Sequence, residues 1–399
     1  MRRVVIAGGS VAGLSAAREL RRAGFDGTIQ VVDRDPDAPY RRPSVSKGLL
    51  TGARSREDVA TPLPPDLDVE QLAGVRLDAL DLEAAVVHVR NGKASTALPF
   101  DGLVIATGRV ARPWPGEPRL EGVTTLRSVA DAYALRAALA ESARLVIIGG
   151  GFIGLEVAAS ATALGVAATV VEAADVPLAH VLGTALGQRI ADAHRERGVE
   201  ILCGAGVASI DGHRRVERVV LTDGRILDAD LVLVAIGSTP AVEWLAASGL
   251  DVAHGVRCDR GCAVEGRSRV VAAGDVAAWL NPLYDRVMCV EHWTHAIQQG
   301  TFAARRLLGC ADPQGFSSAP YFWSDQFDLK LESYGSTAGH DQAHVVEDAD
   351  DRAIVVYGAG GRLVAVAGLN AGRALLRYRR LVERRATIDE AMAAVAQQA

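Results

Sequence analysis

One supersecondary unit occurs twice in this chain, and it restricts the fold more than any other feature. Val4-Val5-Ile6-Ala7 is a short apolar run rich in β-branched residues. Gly8-Gly9-Ser10-Val11-Ala12-Gly13 follows, then a helical pattern over Leu14–Ala23 that closes at Gly24. A second run, Thr28-Ile29-Gln30-Val31-Val32, ends at Asp33. The order is strand, glycine turn, helix, strand, acid. It returns as a strand over Arg144–Ile148, Gly149-Gly150-Gly151-Phe152-Ile153-Gly154, and a helix over Leu155–Leu164 stopped by Gly165. A strand over Ala168–Val171 and the acid Glu172 complete the second copy.

Each part of the unit has a physical reason. The first glycine permits a tight turn, a small second residue lets backbone approach a pyrophosphate, and the third lets helix and strand pack closely. The helix start offers unpaired N–H groups and the positive end of its dipole to phosphate. In the first copy Ser10 replaces the middle glycine; it is still small, and its hydroxyl can donate to a phosphate. The terminal acid can accept from ribose hydroxyls. Two copies imply two separate dinucleotides. A carboxylate at Glu172 suits a ribose 2′-hydroxyl and repels a 2′-phosphate. No basic residue follows it within the next few positions, so the second nucleotide is expected to be NADH rather than NADPH.

With 399 residues the chain is long enough for two or three domains. Apolar residues make up 49% and charged residues 23%, which supports a large core and excludes wholesale disorder. A formal net charge of −5 gives no global pull toward nucleic acid or membrane. No apolar run reaches the roughly 20 residues of a membrane helix. Met1-Arg2-Arg3 before an apolar run has the look of a secretory leader, but the glycines inside that run argue against one. The five cysteines are Cys203, Cys258, Cys262, Cys289 and Cys310. Their odd number disfavours a disulfide scaffold, Cys258 and Cys262 lack CxxC spacing, and no His/Cys cluster completes a metal site. Free thiols in a reducing cytoplasm are expected, with no metal.

Further buried-strand patterns end in small-residue turns: Leu103-Val104-Ile105-Ala106-Thr107-Gly108, and Leu231–Ile236 before Gly237. Val270-Val271-Ala272-Ala273-Gly274-Asp275 ends with an acid at a helix-start position, where an N-cap is the ordinary reading.

Together with Pro39-Tyr40-Arg41-Arg42-Pro43-Ser44-Val45-Ser46-Lys47, Glu291-His292-Trp293 and Tyr321-Phe322-Trp323-Ser324-Asp325-Gln326, these stretches resemble the pyridine-nucleotide–flavin oxidoreductases. The last three resemble in particular the ferredoxin reductases that serve cytochromes P450 and ring-hydroxylating dioxygenases. The resemblance runs nearly the whole length. It implies an α/β protein with two Rossmann-like domains, for FAD and NAD, and a smaller α+β C-terminal domain. The FAD domain would be discontinuous, over 1–109 and 240–315; the NAD domain would span 110–239 and the C-terminal domain 316–399. Gly8, Ser10, Val11, Ala12 and Gly13 would lie at the FAD pyrophosphate, with Asp33 or Asp35 at the adenosine ribose and Leu77 offering backbone to adenine. Arg42 and Lys47 would lie along the flavin, Lys47 near N5. Ala106, Thr107, Gly108 and Arg127 would line the same site, Gly274 and Asp275 the ribitol chain, and Trp293 the isoalloxazine. Gly149, Gly151, Phe152, Ile153, Gly154, Glu172 and Gly237 would hold NAD. The chain departs from the family pattern at Arg41, Ser44-Val45, Ala241 and His295.

Glu156 opens the helix after the second glycine turn, and an ion pair with Lys47 near N5 is expected. These two are the candidate catalytic residues. Disulfide reductases of the wider family carry a cysteine pair near the first helix, and this chain has no cysteine before Cys203. Electrons should therefore pass directly from the flavin to an external acceptor. The expected activity is that of an FAD-dependent ferredoxin–NAD(+) reductase, with a [2Fe-2S] ferredoxin as acceptor and rubredoxin as the alternative. Arg373, Arg377, Arg380 and Arg384 recur at helical spacing and form a candidate docking stripe for such an acidic partner; a solvated helix face is the plainer reading. A monomer or weak dimer is expected. Two other readings compete: an NADH oxidase or monodehydroascorbate reductase relative, and a flavoprotein interaction module similar to apoptosis-inducing factor. The histidines His88, His180, His194, His213, His254, His340 and His344 lack ligand spacing and read as surface or core residues.

Overall fold

The computed structural model describes residues 1–116, 120–349 and 351–396. The chain divides into two compact units: residues 1–41, 59–110 and 239–320, and residues 42–58, 111–238 and 321–399. The short segment Arg42–Asp58, which carries Lys47, is grouped with the second unit.

The first unit is built on a five-stranded parallel sheet in the order Val270–Ala272, Gly102–Ile105, Arg3–Ala7, Thr28–Asp33, Glu70–Ala73. The two central strands are apolar and buried, as a sheet covered on both faces requires. The helix Val11–Arg22 packs against the helix Trp293–Leu307. Buried Glu19 fastens them, accepting from Arg22 Nε at 2.6 Å and from Arg305 Nε at 2.5 Å. Two small sheets, the first antiparallel and the second mixed, complete the unit. One is the meander Arg76–Asp81, Val86–Asn91, Ala94–Pro99, and the other pairs Val256–Cys258, Ala277–Asn281 and Arg286–Met288.

The second unit repeats the arrangement. Its parallel sheet runs Glu200–Leu202, Ala167–Val171, Arg144–Ile148, Leu231–Val234, Val123–Thr124. The strands on either side of the glycine-bearing one match those of the first sheet, but the edge strand Val123–Thr124 precedes them in the chain whereas Val270–Ala272 follows them. The C-terminal part is a five-stranded antiparallel sheet, Tyr321–Gln326, Leu329–Gly335, Arg362–Leu369, Ala353–Ala359, Gln342–Asp348. Helices Gly372–Glu383 and Ile388–Ala396 follow it. The long helix Ala179–Glu196, broken at Gly183, ties this sheet to the nucleotide sheet. Thr337 donates to the Val181 carbonyl at 2.6 Å, Arg197 pairs with Asp328 at 2.7 Å, and the Tyr357 hydroxyl donates to the Leu182 carbonyl.

The α/β architecture with two Rossmann-like sheets and a smaller C-terminal sheet is therefore as the sequence implied. One local expectation is corrected. Asp275 is not an N-cap: it lies inside the short 3-10 turn Gly274–Val276, with Ala273 at the cap position. Gly274 takes a φ of 75°, which brings its N–H onto Gln299 Oε1 at 2.8 Å. That bond holds the turn in place of a capping carboxylate. No helix among the described residues is long and apolar enough to cross a membrane, and all five cysteines are free.

Candidate active site

The two glycine turns are geometric copies. Gly8 N–H donates to the Val32 carbonyl at 2.8 Å, and Gly149 N–H to the Val171 carbonyl at 2.8 Å. Gly9 N–H donates to Asp33 Oδ2 at 2.7 Å, and Gly150 N–H to Glu172 Oε2 at 2.7 Å. The other oxygen of each acid takes the amide two residues on: Asp35 N–H at 2.9 Å and Ala174 N–H at 2.8 Å. Asp33 is thus the counterpart of Glu172. Asp35 instead accepts from the Tyr40 hydroxyl at 2.8 Å and from Asp37 N–H at 3.1 Å.

These turns fit dinucleotides. A Cβ on Gly13 would stand 2.0 Å from the Gly8 carbonyl oxygen, and one on Gly154 would stand 2.1 Å from that of Gly149. Only glycine permits that approach of helix to turn. Above Gly151 a side chain would meet nothing within 4 Å, so the face toward a pyrophosphate is open. Neither Ser10 nor Gly151 caps its helix with a side chain, which leaves the first-turn amides of Val11–Gly13 and Phe152–Gly154 to an anion.

Around the first turn, Ala106 is buried, and Thr107 Oγ1 donates to the Ala241 carbonyl at 2.8 Å. The Gly108 carbonyl accepts from Ala241 N–H at 3.0 Å. Leu77 sits in a meander strand beside a register shift, paired with Val89. Trp293 begins the helix that packs on Val11–Arg22. Ahead of it Glu291 pairs with Arg109 at 3.2 Å. Arg42 and Arg127 meet in the second unit, where Arg42 Nη1 donates to the Arg127 carbonyl at 3.0 Å. Gly237, with φ of 92°, follows the strand beside the second turn.

Burial lowers His292 to about 4, against a partial opposing pull from Asp275. Burial, with His292 adding to it, lowers His295 to about 3. Both rings are therefore neutral near pH 7. Glu19 is lowered to about 2, chiefly by its bond from Arg22. In all three the unfolded chain takes up protons first as pH falls, so acid favours unfolding. Stability should drop from about pH 6.5 as the histidines begin to protonate in the unfolded state, by about 3 kcal/mol for each of the two by pH 4, with a further loss below pH 4.5 from Glu19. Urea unfolding across this range measures it; a flat profile between pH 7 and 4 contradicts it.

The expected pair between Lys47 and Glu156 is present, Nζ to Oε1 at 2.7 Å. Glu156 is buried and Lys47 largely so. Sequence reasoning missed the rest of the carboxylate's surroundings: Ser46 and Ser324 each donate a hydroxyl to it at 2.5 Å. One signal existed. Ser324 and Gln326 share a face of the strand Tyr321–Gln326, and polar residues at alternate buried positions of a strand need partners. Arg373, Arg377, Arg380 and Arg384 are all exposed, on or just beyond the helix Gly372–Glu383. Arg384 pairs with Glu390 at 2.8 Å, and neighbouring Arg379 with Glu383 at 2.8 Å, so part of the stripe's charge is offset. No group of three or more metal-ligating side chains occurs among the described residues.

Two repeated nucleotide cradles and a buried lysine–glutamate pair define an oxidoreductase of the flavin- and nicotinamide-dependent class. A family model described as pyridine nucleotide-disulphide oxidoreductase matches residues 2–300, one described as reductase C-terminal matches residues 321–399, and the chain belongs to the former family. Members carry FAD and use NAD(P)H. The chain is 37% identical over 385 residues to the anthranilate 1,2-dioxygenase system ferredoxin–NAD(+) reductase component of Burkholderia cepacia, covering 95% of this chain and 93% of that protein. It is 35% identical to rhodocoxin reductase of Rhodococcus erythropolis, covering 95% and 89%. Among solved structures it is similar to putidaredoxin reductase in its covalent complex with putidaredoxin. The TM-score is 0.90 at 31% identity, covering 96% of this chain and 93% of that one.

Proposed function

We propose that this enzyme is an NADH-dependent ferredoxin reductase that delivers single electrons to a [2Fe-2S] ferredoxin serving a cytochrome P450 or Rieske-type oxygenase. The observation that carries most weight is the pair of matching glycine cradles in a chain with no cysteine before Cys203. Hydride can enter from one nucleotide to the other, and no nearby thiol relay diverts it. The named relatives are reductases of ferredoxins, rhodocoxin and putidaredoxin.

The chain's own residues bind and orient. The first-turn amides from Val11 to Gly13 take the FAD pyrophosphate, and Asp33 the adenosine ribose. Those from Phe152 to Gly154, with Glu172, do the same for NADH. FAD held there would supply hydride acceptance and the release of electrons one at a time. Lys47 offsets the negative charge that hydride brings, and Glu156 holds the lysine in place.

The exposed arginines Arg373, Arg377, Arg380 and Arg384 are the proposed docking stripe for an acidic carrier, with rubredoxin as the alternative carrier, and the enzyme acts as a monomer or weak dimer. Electrostatic docking is screened by salt. Turnover with a [2Fe-2S] ferredoxin should fall at least about fivefold between low and high ionic strength, while reduction of a small uncharged quinone barely changes. Parallel salt responses of the two acceptors count against the stripe. Rapid oxidation of NADH by oxygen, with no gain on adding ferredoxin, favours an oxidase instead.

A further inference from the structure

In the second unit one continuous path of side-chain hydrogen bonds ends on Glu156. His194 Nε2 lies 2.9 Å from Gln326 Oε1, Gln326 Nε2 lies 3.0 Å from Ser324 Oγ, and Ser324 Oγ lies 2.5 Å from Glu156 Oε1. Lys47 Nζ reaches the same oxygen, and Ser46 Oγ the other. Ser160 donates to the Ser46 carbonyl at 2.8 Å and so pins the segment that carries Lys47. Ser46, Glu156, Ser160, Ser324, Gln326 and His194 are all buried.

The direction of every bond follows from the carboxylate. Glu156, paired with an ammonium, only accepts. Ser324 therefore gives its single proton to Glu156, and its lone pair accepts from Gln326. That turns the amide nitrogen toward the serine and the amide oxygen toward His194. An amide oxygen only accepts, so His194 carries its proton on Nε2.

The other end of the path selects the same state. His194 Nδ1 is buried and finds no partner among the described residues. An orphaned buried acceptor is tolerated better than an orphaned N–H. Burial also holds the imidazole below its ordinary range, so the ring is neutral.

We propose that His194, Gln326 and Ser324 are positioning residues that aim successive donors at Glu156 and thereby fix the Lys47–Glu156 pair in one orientation. This rests on the reading of that pair as an aid to hydride transfer. The three residues come from the helix Ala179–Glu196 and the strand Tyr321–Gln326. The C-terminal sheet thus contributes to the site through Ser324.

The test uses the FAD-loaded enzyme with 15N-labelled histidine, in three forms: unsubstituted, Ser324→Ala and Ser324→Thr. In the unsubstituted enzyme the ring-nitrogen shifts should place the His194 proton on Nε2. Ser324→Ala frees the Gln326 amide to turn, so His194 should become a mixture of tautomers. Flavin reduction at saturating NADH should then fall about tenfold, with KM for NADH changed by no more than about twofold. Ser324→Thr keeps a hydroxyl and should restore both readouts. A proton on Nδ1 in the unsubstituted enzyme overturns the proposal and needs no variant. An unchanged tautomer in Ser324→Ala, or a changed tautomer with an unchanged rate, also overturns it. If NADH fails to reduce even the unsubstituted enzyme, the proposed function falls, and the tautomer result still decides the hydrogen-bond path.

Discussion

Replacing Lys47 by alanine is expected to slow flavin reduction by NADH about a hundredfold in anaerobic stopped-flow. One charged donor aimed at developing charge in a water-poor site contributes on that scale. The same substitution leaves Glu156 buried with only the hydroxyls of Ser46 and Ser324. Removing one partner of a buried ion pair costs about 3 kcal/mol of stability, so a slow variant could simply be a damaged one. Lys47→Met combined with Glu156→Gln separates the two effects. The double variant removes both charges at similar volume, so stability should largely return while the reduction rate does not. Unchanged reduction rates in Lys47→Ala would reject a role in hydride transfer.

The second large effect concerns the nicotinamide nucleotide. The Glu172 carboxylate is held against the second turn by Gly150 N–H and Ala174 N–H at 2.7 and 2.8 Å. It cannot swing away from a 2′-phosphate without losing both bonds. The enzyme should prefer NADH over NADPH by about a hundredfold in kcat/KM. Glu172→Ala should lower kcat/KM for NADH about tenfold and shrink the preference to within a few-fold, because the ribose acceptor and the repulsion vanish together. Equal efficiency with both nucleotides in the unsubstituted enzyme would defeat this assignment.

What the sequence reveals of this protein is what local physics dictates. The glycine turns are legible because only a residue without a Cβ lets the helix approach its own turn, as at Gly13 and Gly154. Their flanking strands are legible because a sheet covered on both faces needs unbroken apolar runs. Much of the site depends on contacts far apart in sequence and leaves little local trace. Nothing in the pattern around Lys47 assigns Arg42–Asp58 to the second unit. Nothing local separates Asp33 from Asp35; in the fold Asp35 takes the Tyr40 hydroxyl, while Asp33 takes Gly9 N–H as Glu172 takes Gly150 N–H. The bonds from Ser46 and Ser324 to Glu156 span 110 and 168 residues. His194 reads as an ordinary histidine in the sequence, and only the folded chain brings it to Gln326.

Binding of FAD and its reduction by NADH are both read in an anaerobic titration of the purified enzyme. The expected result is a yellow protein with about one FAD per chain, bleached by about one equivalent of NADH. A colourless protein that still takes up no flavin on reconstitution, or a bound flavin that NADH leaves oxidised, would contradict it.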